Sequence, residues 1–419
     1  MPDTTADATA DLTDSRALAD ALVYPYLNHA ASMYEQQYAT RDDIDAGMRF
    51  GCGLPRGPLT VLDEIGLDVV RDALAARYAE TGDAMHAPRP VLDRLVGQGR
   101  TGRAAGHGFY RYAAPGSDEV VADDETGAGA AGEAAVRPVE RVGVVGSGTM
   151  ATGIVEVFAK AGLPVVYVAR TQDKVAGVRA RIETSLAKAV DRGKLEQADA
   201  DAVLGRVTGA TEREALADVD LVVEAIAEQM DLKTQLFADL DRICQAGAIL
   251  ATTTSSLPIR ELAAATGRPQ DVVGMHFFNP APVMRLVEVV RTEDTAADVL
   301  ATVAGLCERT GKVAVSCSDR SGFIVNALLF PYLNDAVKVL EQGIADHDTV
   351  DAAVTEHYGY PMGPFALLDV VGLDVSLAIQ RELLAEFAHE GLTPAPTLVR
   401  LVDEGKLGRK SGEGFRVLA

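Results

Sequence analysis

The stretch VGVVGSGTMATGIVEVFAKAGLPVVYVAR, Val142 to Arg170, decides the fold. Four apolar residues, Val142 to Val145, make a short strand that runs straight into Gly146-Ser147-Gly148-Thr149-Met150-Ala151. Gly146 permits a tight turn. Gly148 has no Cβ, so an anion can approach the backbone, and Ala151 is small enough for helix and strand to pack. A helix opening at Thr149 then offers unpaired N–H groups and the positive end of its dipole to a phosphate. A second strand follows at Val165 to Val168. Strand, glycine turn, helix and strand in that order predict a dinucleotide-binding βαβ unit, with Gly146, Ser147, Gly148, Thr149 and Met150 at the phosphates.

The end of the second strand bears on which dinucleotide binds. An acid there would bond the adenosine ribose hydroxyls and favour NAD. This chain has Ala169 followed by Arg170, 169 − 146 = 23 residues after the first glycine. A guanidinium can hold a 2′-phosphate, so NADP is expected over NAD. Beyond it, a long helix is read from Asp173 to about Arg192. Apolar strands follow at 221–223, 249–252, 272–275 and 286–289. Alternation of this kind implies a mostly parallel sheet with helices on both faces.

The ends of the chain repeat each other. YPYLNHA from Tyr24 matches FPYLNDA from Phe330, and 330 − 24 = 306. The same offset carries Asp63 onto Asp369, Gly66-Leu67-Asp68-Val69 onto Gly372-Leu373-Asp374-Val375, and Gly106-His107-Gly108-Phe109 onto Gly412-Glu413-Gly414-Phe415. A register kept without gaps marks a duplication. Apolar residues recur at helical spacing in both copies, as in Leu22, Val23, Tyr26, Leu27 and Ala30, so each copy reads as a small helical domain. Between copy 1 and the sheet domain lies an acidic, Ala/Gly-rich segment, 113–138, with no apolar period, expected to be a flexible linker. The expected domains are therefore 13–112, 139–317 and 318–419, after an unstructured head of about a dozen residues.

The chain has 419 residues, enough for two or three domains, and 39 basic against 61 acidic residues, a net charge of −22. Such a surface repels nucleic acid and anionic lipid, so neither is expected as a partner. Four cysteines, Cys52, Cys244, Cys307 and Cys317, stand apart with no metal spacing, as reduced thiols of a cytoplasmic protein would. The acidic start shows no signal peptide, and no apolar run is long enough to span a bilayer.

Four polar residues stand in telling places. Ser255 lies just past a strand in Thr252-Thr253-Thr254-Ser255-Ser256. His276 closes a strand in Met275-His276-Phe277-Phe278-Asn279-Pro280. Glu288 sits among valines in Leu286-Val287-Glu288-Val289-Val290, and Asn326 ends Gly322-Phe323-Ile324-Val325-Asn326. A carboxylate inside an apolar strand is costly unless paired, and a histidine is its natural partner in a tuned general base.

These stretches carry a resemblance. HFFNPAPVMRLVEVV from His276, SGFIVN ending at Asn326 and YPMGPFALLDVVGLD from Tyr360 resemble the 3-hydroxyacyl-CoA dehydrogenases, and the likeness runs from Arg141 to the C-terminus. The resemblance implies a Rossmann domain flanked by two all-helical domains of that family's C-terminal type. It implies reversible hydride transfer between NAD(P) and C3 of a (3S)-3-hydroxyacyl-CoA such as 3-hydroxybutyryl-CoA. Ser255, His276, Glu288 and Asn326 would form the catalytic site. Cofactor contacts would fall on Glu228 and Lys233 of EAIAEQMDLK, on Asn279 and on Lys410. The acyl-CoA would meet Ser185 and Arg192, with Lys188 and Lys194 completing a local basic patch.

The sequence departs from that family at Ala169, where the ribose acid is expected, and at Thr253, where an Asn is usual. It also carries the extra helical domain, and it resembles a tandem relative lacking its first nucleotide domain. In copy 1 the offset puts Asp20 at the place of Asn326, Arg56 at that of Met362 and Ala104 at that of Lys410. Copy 1 is thus expected to be non-catalytic and to pack on copy 2 as one half of an intramolecular pseudo-dimer, with a homodimer as the variant. Two other functions stay open: a dehydrogenase of carrier-bound or free hydroxy acids, and a catalytically dead scaffold left by a tandem enzyme.

Overall fold

The computed structural model describes residues 12–123 and 135–417. They divide into two compact units. The helical unit holds residues 12–123 together with 324–417, and the sheet unit holds 135–323. The expected head and the middle of the 113–138 segment lie outside the described residues.

Copy 1 contributes α1 (Ser15–Glu35), α2 (Arg41–Cys52), α3 (Pro58–Ile65), α4 (Leu67–Thr81) and α5 (Pro90–Gly97), then the short hairpin β1 (Arg111–Tyr112) and β2 (Val120–Val121). Asp14 caps α1 through Ala17 N, and Thr40 caps α2 through Asp43 N. The part of the 113–138 segment nearest copy 1 is held down. Arg41, 1% exposed, forks onto Asp123 with bonds of 2.7 and 3.0 Å, bonds the Phe109 carbonyl at 2.6 Å, and stacks over the Tyr110 ring. At the other end of the segment, Arg137 pairs with Asp271 and Asp298 in the sheet unit.

The sheet unit follows in chain order. It comprises β3 (Val142–Val145), α6 (Thr149–Lys160), β4 (Val165–Val168), α7 (Gln172–Asp191), α8 (Gln197–Gly205), β5 (Val207–Ala210), β6 (Leu221–Glu224) and α9 (Met230–Ile243). It ends with β7 (Ile249–Thr252), α10 (Ile259–Ala264), β8 (Val272–Phe277), β9 (Leu286–Arg291), α11 (Ala297–Arg309) and β10 (Val313–Ser318). The strand order is β10-β9-β8-β7-β6-β3-β4-β5. Every neighbouring pair is parallel except β8 and β9. The chain leaves β3 for β4 on one side and returns to β6 on the other, so the crevice beyond the ends of β3 and β6 is the switch point where such sheets bind ligands. The strands β3, β4, β6 and β7 are buried at every residue, as sheets covered on both faces require. β5 and β10 were not read from the sequence. Their residues, VTGA and VAVSCS, are too short or too polar to show an apolar run.

Copy 2 adds α12 (Val325–Glu341), α13 (His347–Tyr358), α14 (Pro364–Val371), α15 (Leu373–Phe387) and α16 (Pro396–Asp403). The duplication is visible bond by bond. Asp45 accepts from Leu59 N and Thr60 N at the start of α3, and its counterpart Asp351 accepts from Phe365 N and Ala366 N at the start of α14. Asp63 accepts from Phe109 N at 2.7 Å, and Asp369 from Phe415 N at 2.9 Å. The preceding residue must be glycine in both copies, because a Cβ on Gly108 or Gly414 would stand 2.0 Å from that carboxylate oxygen.

Within the helical unit α1 packs on α12 and α13. The Tyr26 and Tyr332 rings, related by the offset, meet at 5.9 Å. Tyr358 donates to Asp20 at 2.6 Å, under the Arg16 guanidinium. Leu22, Val23 and Leu27 of α1, and Leu333, Ala336 and Val337 of α12, are each at most 1% exposed. Removing residues 1–112 would bare such apolar faces to water. The truncated protein is expected to melt at lower temperature and to aggregate or dimerise, read by calorimetry and light scattering. A monomer with unchanged melting temperature would show that this packing contributes nothing.

Candidate active site

The phosphate loop is shaped for a dinucleotide. Gly146 has φ +142°, and a Cβ there would stand 2.3 Å from the Ala225 carbonyl oxygen at the end of β6, so only glycine fits the turn. Gly148 is the N-cap of α6 and provides no side-chain cap, which leaves the first amides of that helix for an anion. Ser147 and Met150 are half-buried beside it and Thr149 is exposed. Sequence reasoning missed Arg181 on α7. Its guanidinium bonds the Ser147 carbonyl at 2.5 Å and the Thr152 hydroxyl at 3.0 Å, placing a positive charge on the loop. Nothing in its local sequence marks it. Ala169 is buried at the end of β4, and Arg170 beside it is exposed, with no hydrogen bond or ion pair among the described residues.

The antiparallel pair β8/β9 makes His276 and Glu288 direct register partners. Opposed residues of a ladder share one face of the sheet, so the two side chains meet. His276 Nδ1 lies 2.7 Å from Glu288 Oε2, and Nε2 lies 3.1 Å from Ser255 Oγ. Glu288 is fully buried and His276 is 6% exposed. The Phe278 and Phe323 rings flank the imidazole at 4.7 and 5.5 Å. A carboxylate on Nδ1 selects the tautomer that keeps the proton there, which leaves Nε2 as the acceptor facing Ser255.

A second network meets the first at Ser255. Lys233, with no exposed surface, bonds both oxygens of buried Glu224 at 2.8 and 2.9 Å and Glu228 at 3.0 Å. Glu224 also accepts from Thr252 Oγ at 2.7 Å and Ile226 N at 2.7 Å. Glu228 accepts from Ser255 N at 3.0 Å and from the Thr254 hydroxyl. Burial works against the charge of Glu228, but Lys233 and Thr254 prevail and hold its carboxyl below the usual range. Glu224 too escaped the sequence reading. Its signal was an acid closing the apolar run Leu221-Val222-Val223, the same signal that marked Glu288.

The structure thus brings Ser255, His276, Glu288, Glu228 and Lys233 into one connected array. Asn279 is exposed just beyond β8. Ser185 is half-buried on α7. Lys188, Arg192 and Lys194 are exposed around the end of that helix, with no ion pair among the described residues to neutralise them. Asn326 and Lys410 belong to the helical unit. Asn326 is 9% exposed on α12, and Lys410 pairs with Asp374 at 2.8 Å.

Two family models cover most of the chain. Residues 141–320 match the NAD binding domain of 3-hydroxyacyl-CoA dehydrogenase, and 18–112 and 322–417 each match its C-terminal domain. The chain belongs to the 3-hydroxyacyl-CoA dehydrogenase family. It is 45% identical over 279 residues to a 3-hydroxybutyryl-CoA dehydrogenase of Mycobacterium tuberculosis, spanning 66% of this chain and 98% of that protein. It is 42% identical over 287 residues to the human mitochondrial hydroxyacyl-coenzyme A dehydrogenase, spanning 66% and 90%. Among solved structures it is similar to M. tuberculosis FadB2, with a TM-score of 0.65 at 44% identity, covering 68% of this chain and all of that one. The family placement confirms the Rossmann domain flanked by two C-terminal-type helical domains.

Lys233 is the keystone of the second network. Replacing it by Met leaves two carboxylates facing each other with no cation between them. Removing one member of a buried ion pair costs about 3–5 kcal/mol. Lys233→Met should lose about that much in urea unfolding, and adding Glu224→Gln to it should recover part of the loss. A Lys233→Met protein of wild-type stability would show that the buried charge is not needed.

Proposed function

We propose that this protein interconverts (3S)-3-hydroxyacyl-CoA and 3-oxoacyl-CoA esters, such as 3-hydroxybutyryl-CoA, with NADP preferred over NAD. The observation that carries the reading is the Ser255–His276–Glu288 relay, in which Glu288 is fully buried and Ser255 half-buried. In the oxidative direction His276 Nε2 takes the proton of the C3 hydroxyl. Glu288 holds the ring in position and stabilises the imidazolium that forms. A bound nicotinamide would supply the hydride acceptor for C3 in this direction and the hydride donor in the reverse one. Ser255 and Asn326 donate hydrogen bonds to the substrate oxygens. Neutral donors of this kind act most strongly in a site shielded from water. The intact relay argues against a scaffold without catalysis.

For the cofactor, the amides at the start of α6 and Arg181 receive the pyrophosphate, with Asn279 and Lys410 as further contacts. Lys233 acts through Glu228, since its ammonium is enclosed by two carboxylates. Ala169 offers no charge to repel a 2′-phosphate, and Arg170, which has no ion pair among the described residues, attracts one. Lys188, Arg192 and Lys194 with Ser185 form the cationic patch that receives the phosphates of CoA on an otherwise acidic protein.

Purified protein should oxidise NADPH with acetoacetyl-CoA. His276→Ala should lower kcat by ~10²–10⁴ while cofactor binding persists, and Glu288→Gln should lower it less. A rate near wild type for His276→Ala would sink the mechanism. Turnover of carrier-bound or free 3-oxo acids, with none for CoA esters, would move the substrate assignment.

The cofactor reading has its own test. Ala169→Asp should shift kcat/KM toward NADH by setting a carboxylate against the 2′-phosphate. A wild type that favours NADH would show that Arg170 serves another purpose.

A further inference from the structure

The phosphate loop is gripped from α7, the helix packed beside α6. Arg181 gives its guanidinium to two acceptors there. Nη2 bonds the Ser147 carbonyl at 2.5 Å and the Thr152 hydroxyl at 3.0 Å, and Nε bonds the same hydroxyl at 3.2 Å. Thr152 extends the grip, because its hydroxyl donates to the Gly148 carbonyl at 2.9 Å. Arg181 and Thr152 thus form a clasp that holds the carbonyls of the two peptides flanking Gly148.

The clasp decides where an amide points. The peptide between Ser147 and Gly148 is planar and trans, so its N–H opposes its C=O. With the carbonyl turned to Arg181, the Gly148 N–H is turned the other way, and it makes no hydrogen bond among the described residues. Gly148 has φ −78° and ψ −175°. Reversing the peptide would carry φ to the positive side, which a residue with a Cβ resists and glycine accepts. A Cβ at Gly148 would meet nothing within 4 Å, so packing does not prevent the reversal either. The glycine that lets an anion approach therefore leaves the loop free to turn over unless the Ser147 carbonyl is held.

The charge of Arg181 is left uncancelled. Among the described residues it bonds a carbonyl and a hydroxyl and pairs with no carboxylate. Its neighbours three and four positions away on α7, Gly177, Val178, Thr184 and Ser185, are all uncharged.

We propose that Arg181, acting with Thr152, is the positioning residue of the phosphate loop and keeps the Gly148 N–H presented to the pyrophosphate of the dinucleotide. The proposal rests on the dehydrogenase reading above. NAD and NADP share the pyrophosphate, so Arg181 serves both alike, and the choice between them stays with Ala169 and Arg170.

The test is the Kd of NADH and of NADPH, read from nicotinamide fluorescence, in four variants. A hydrogen bond to a charged group corresponds to about tenfold or more in an equilibrium constant. Arg181→Met should raise both Kd values by about that factor, with kcat at saturating cofactor near wild type. Thr152→Val keeps the guanidinium but removes the hydroxyl, and should raise both Kd values by a smaller factor. Arg181→Met/Thr152→Val should bind no more weakly than Arg181→Met, since either change opens the same clasp. Arg181→Lys keeps the charge without the planar fork and should recover only part of the loss. A silent Thr152→Val with full recovery in Arg181→Lys would show that charge alone acts, and would overturn the clasp. So would a loss confined to NADPH, or a lowered melting temperature with unchanged Kd. Should the wild type bind neither dinucleotide, the dehydrogenase reading falls by itself. The clasp is then judged from ligand-free crystal structures of wild type and Arg181→Met. A Ser147–Gly148 peptide turned over in the variant supports it, and one oriented as in wild type overturns it.

Discussion

A carboxylate with no exposed surface must be answered inside the protein, and Glu288 is such a group. Its answer is His276, and the two meet only because β9 runs against β8 in a sheet whose other neighbouring strands are all parallel. A parallel β9 would need a long crossover after β8. The short connection through Asn279-Pro280 instead reverses the chain and brings residue 288 opposite residue 276. The same reversal lets β10 pair in parallel beyond β9 and completes the sheet.

The second buried charge cluster has a different logic. Lys233 lies between two glutamates, Glu224 with no exposed surface and Glu228, the most exposed member of the cluster. Glu228 in turn grips the backbone of Ser255 and the hydroxyl of Thr254. Ser255 is therefore held at its amide by one charged network while its hydroxyl faces the other. A loop tied at both points has few alternative conformations, which is what a group donating to a reacting oxygen requires.

The helical unit shows what survives when a duplicated domain loses its chemistry. The carboxylates that cap helices and hold loop amides are kept in both copies, as Asp45 and Asp351 and as Asp63 and Asp369 show. These groups hold the fold, so either copy would weaken without them. The positions that could meet a ligand have diverged instead. Asp20 is drawn into a cluster with Arg16, Tyr24 and Tyr358, an arrangement an asparagine could not support with the same charge. Arg41 and Asp123 close copy 1 with a buried pair where copy 2 has His347.

Much of this was legible in the sequence because it is written locally. The glycine turn between two valine-rich strands specifies a βαβ unit within thirty residues, and the 306-residue offset exposes the duplication without any structure. Ser255, His276 and Glu288 stood out as polar residues at strand ends or in apolar runs, where a polar group needs a reason. What the sequence could not decide was pairing across distance. The direction of β9, Arg181 reaching back to the phosphate loop and Glu224 joining Lys233 each depend on segments brought together by folding. Periodicity and spacing report which face of an element is apolar. Which elements then become neighbours follows from the closure of the sheet and the docking of the two helical copies, and the tertiary structure alone decides it.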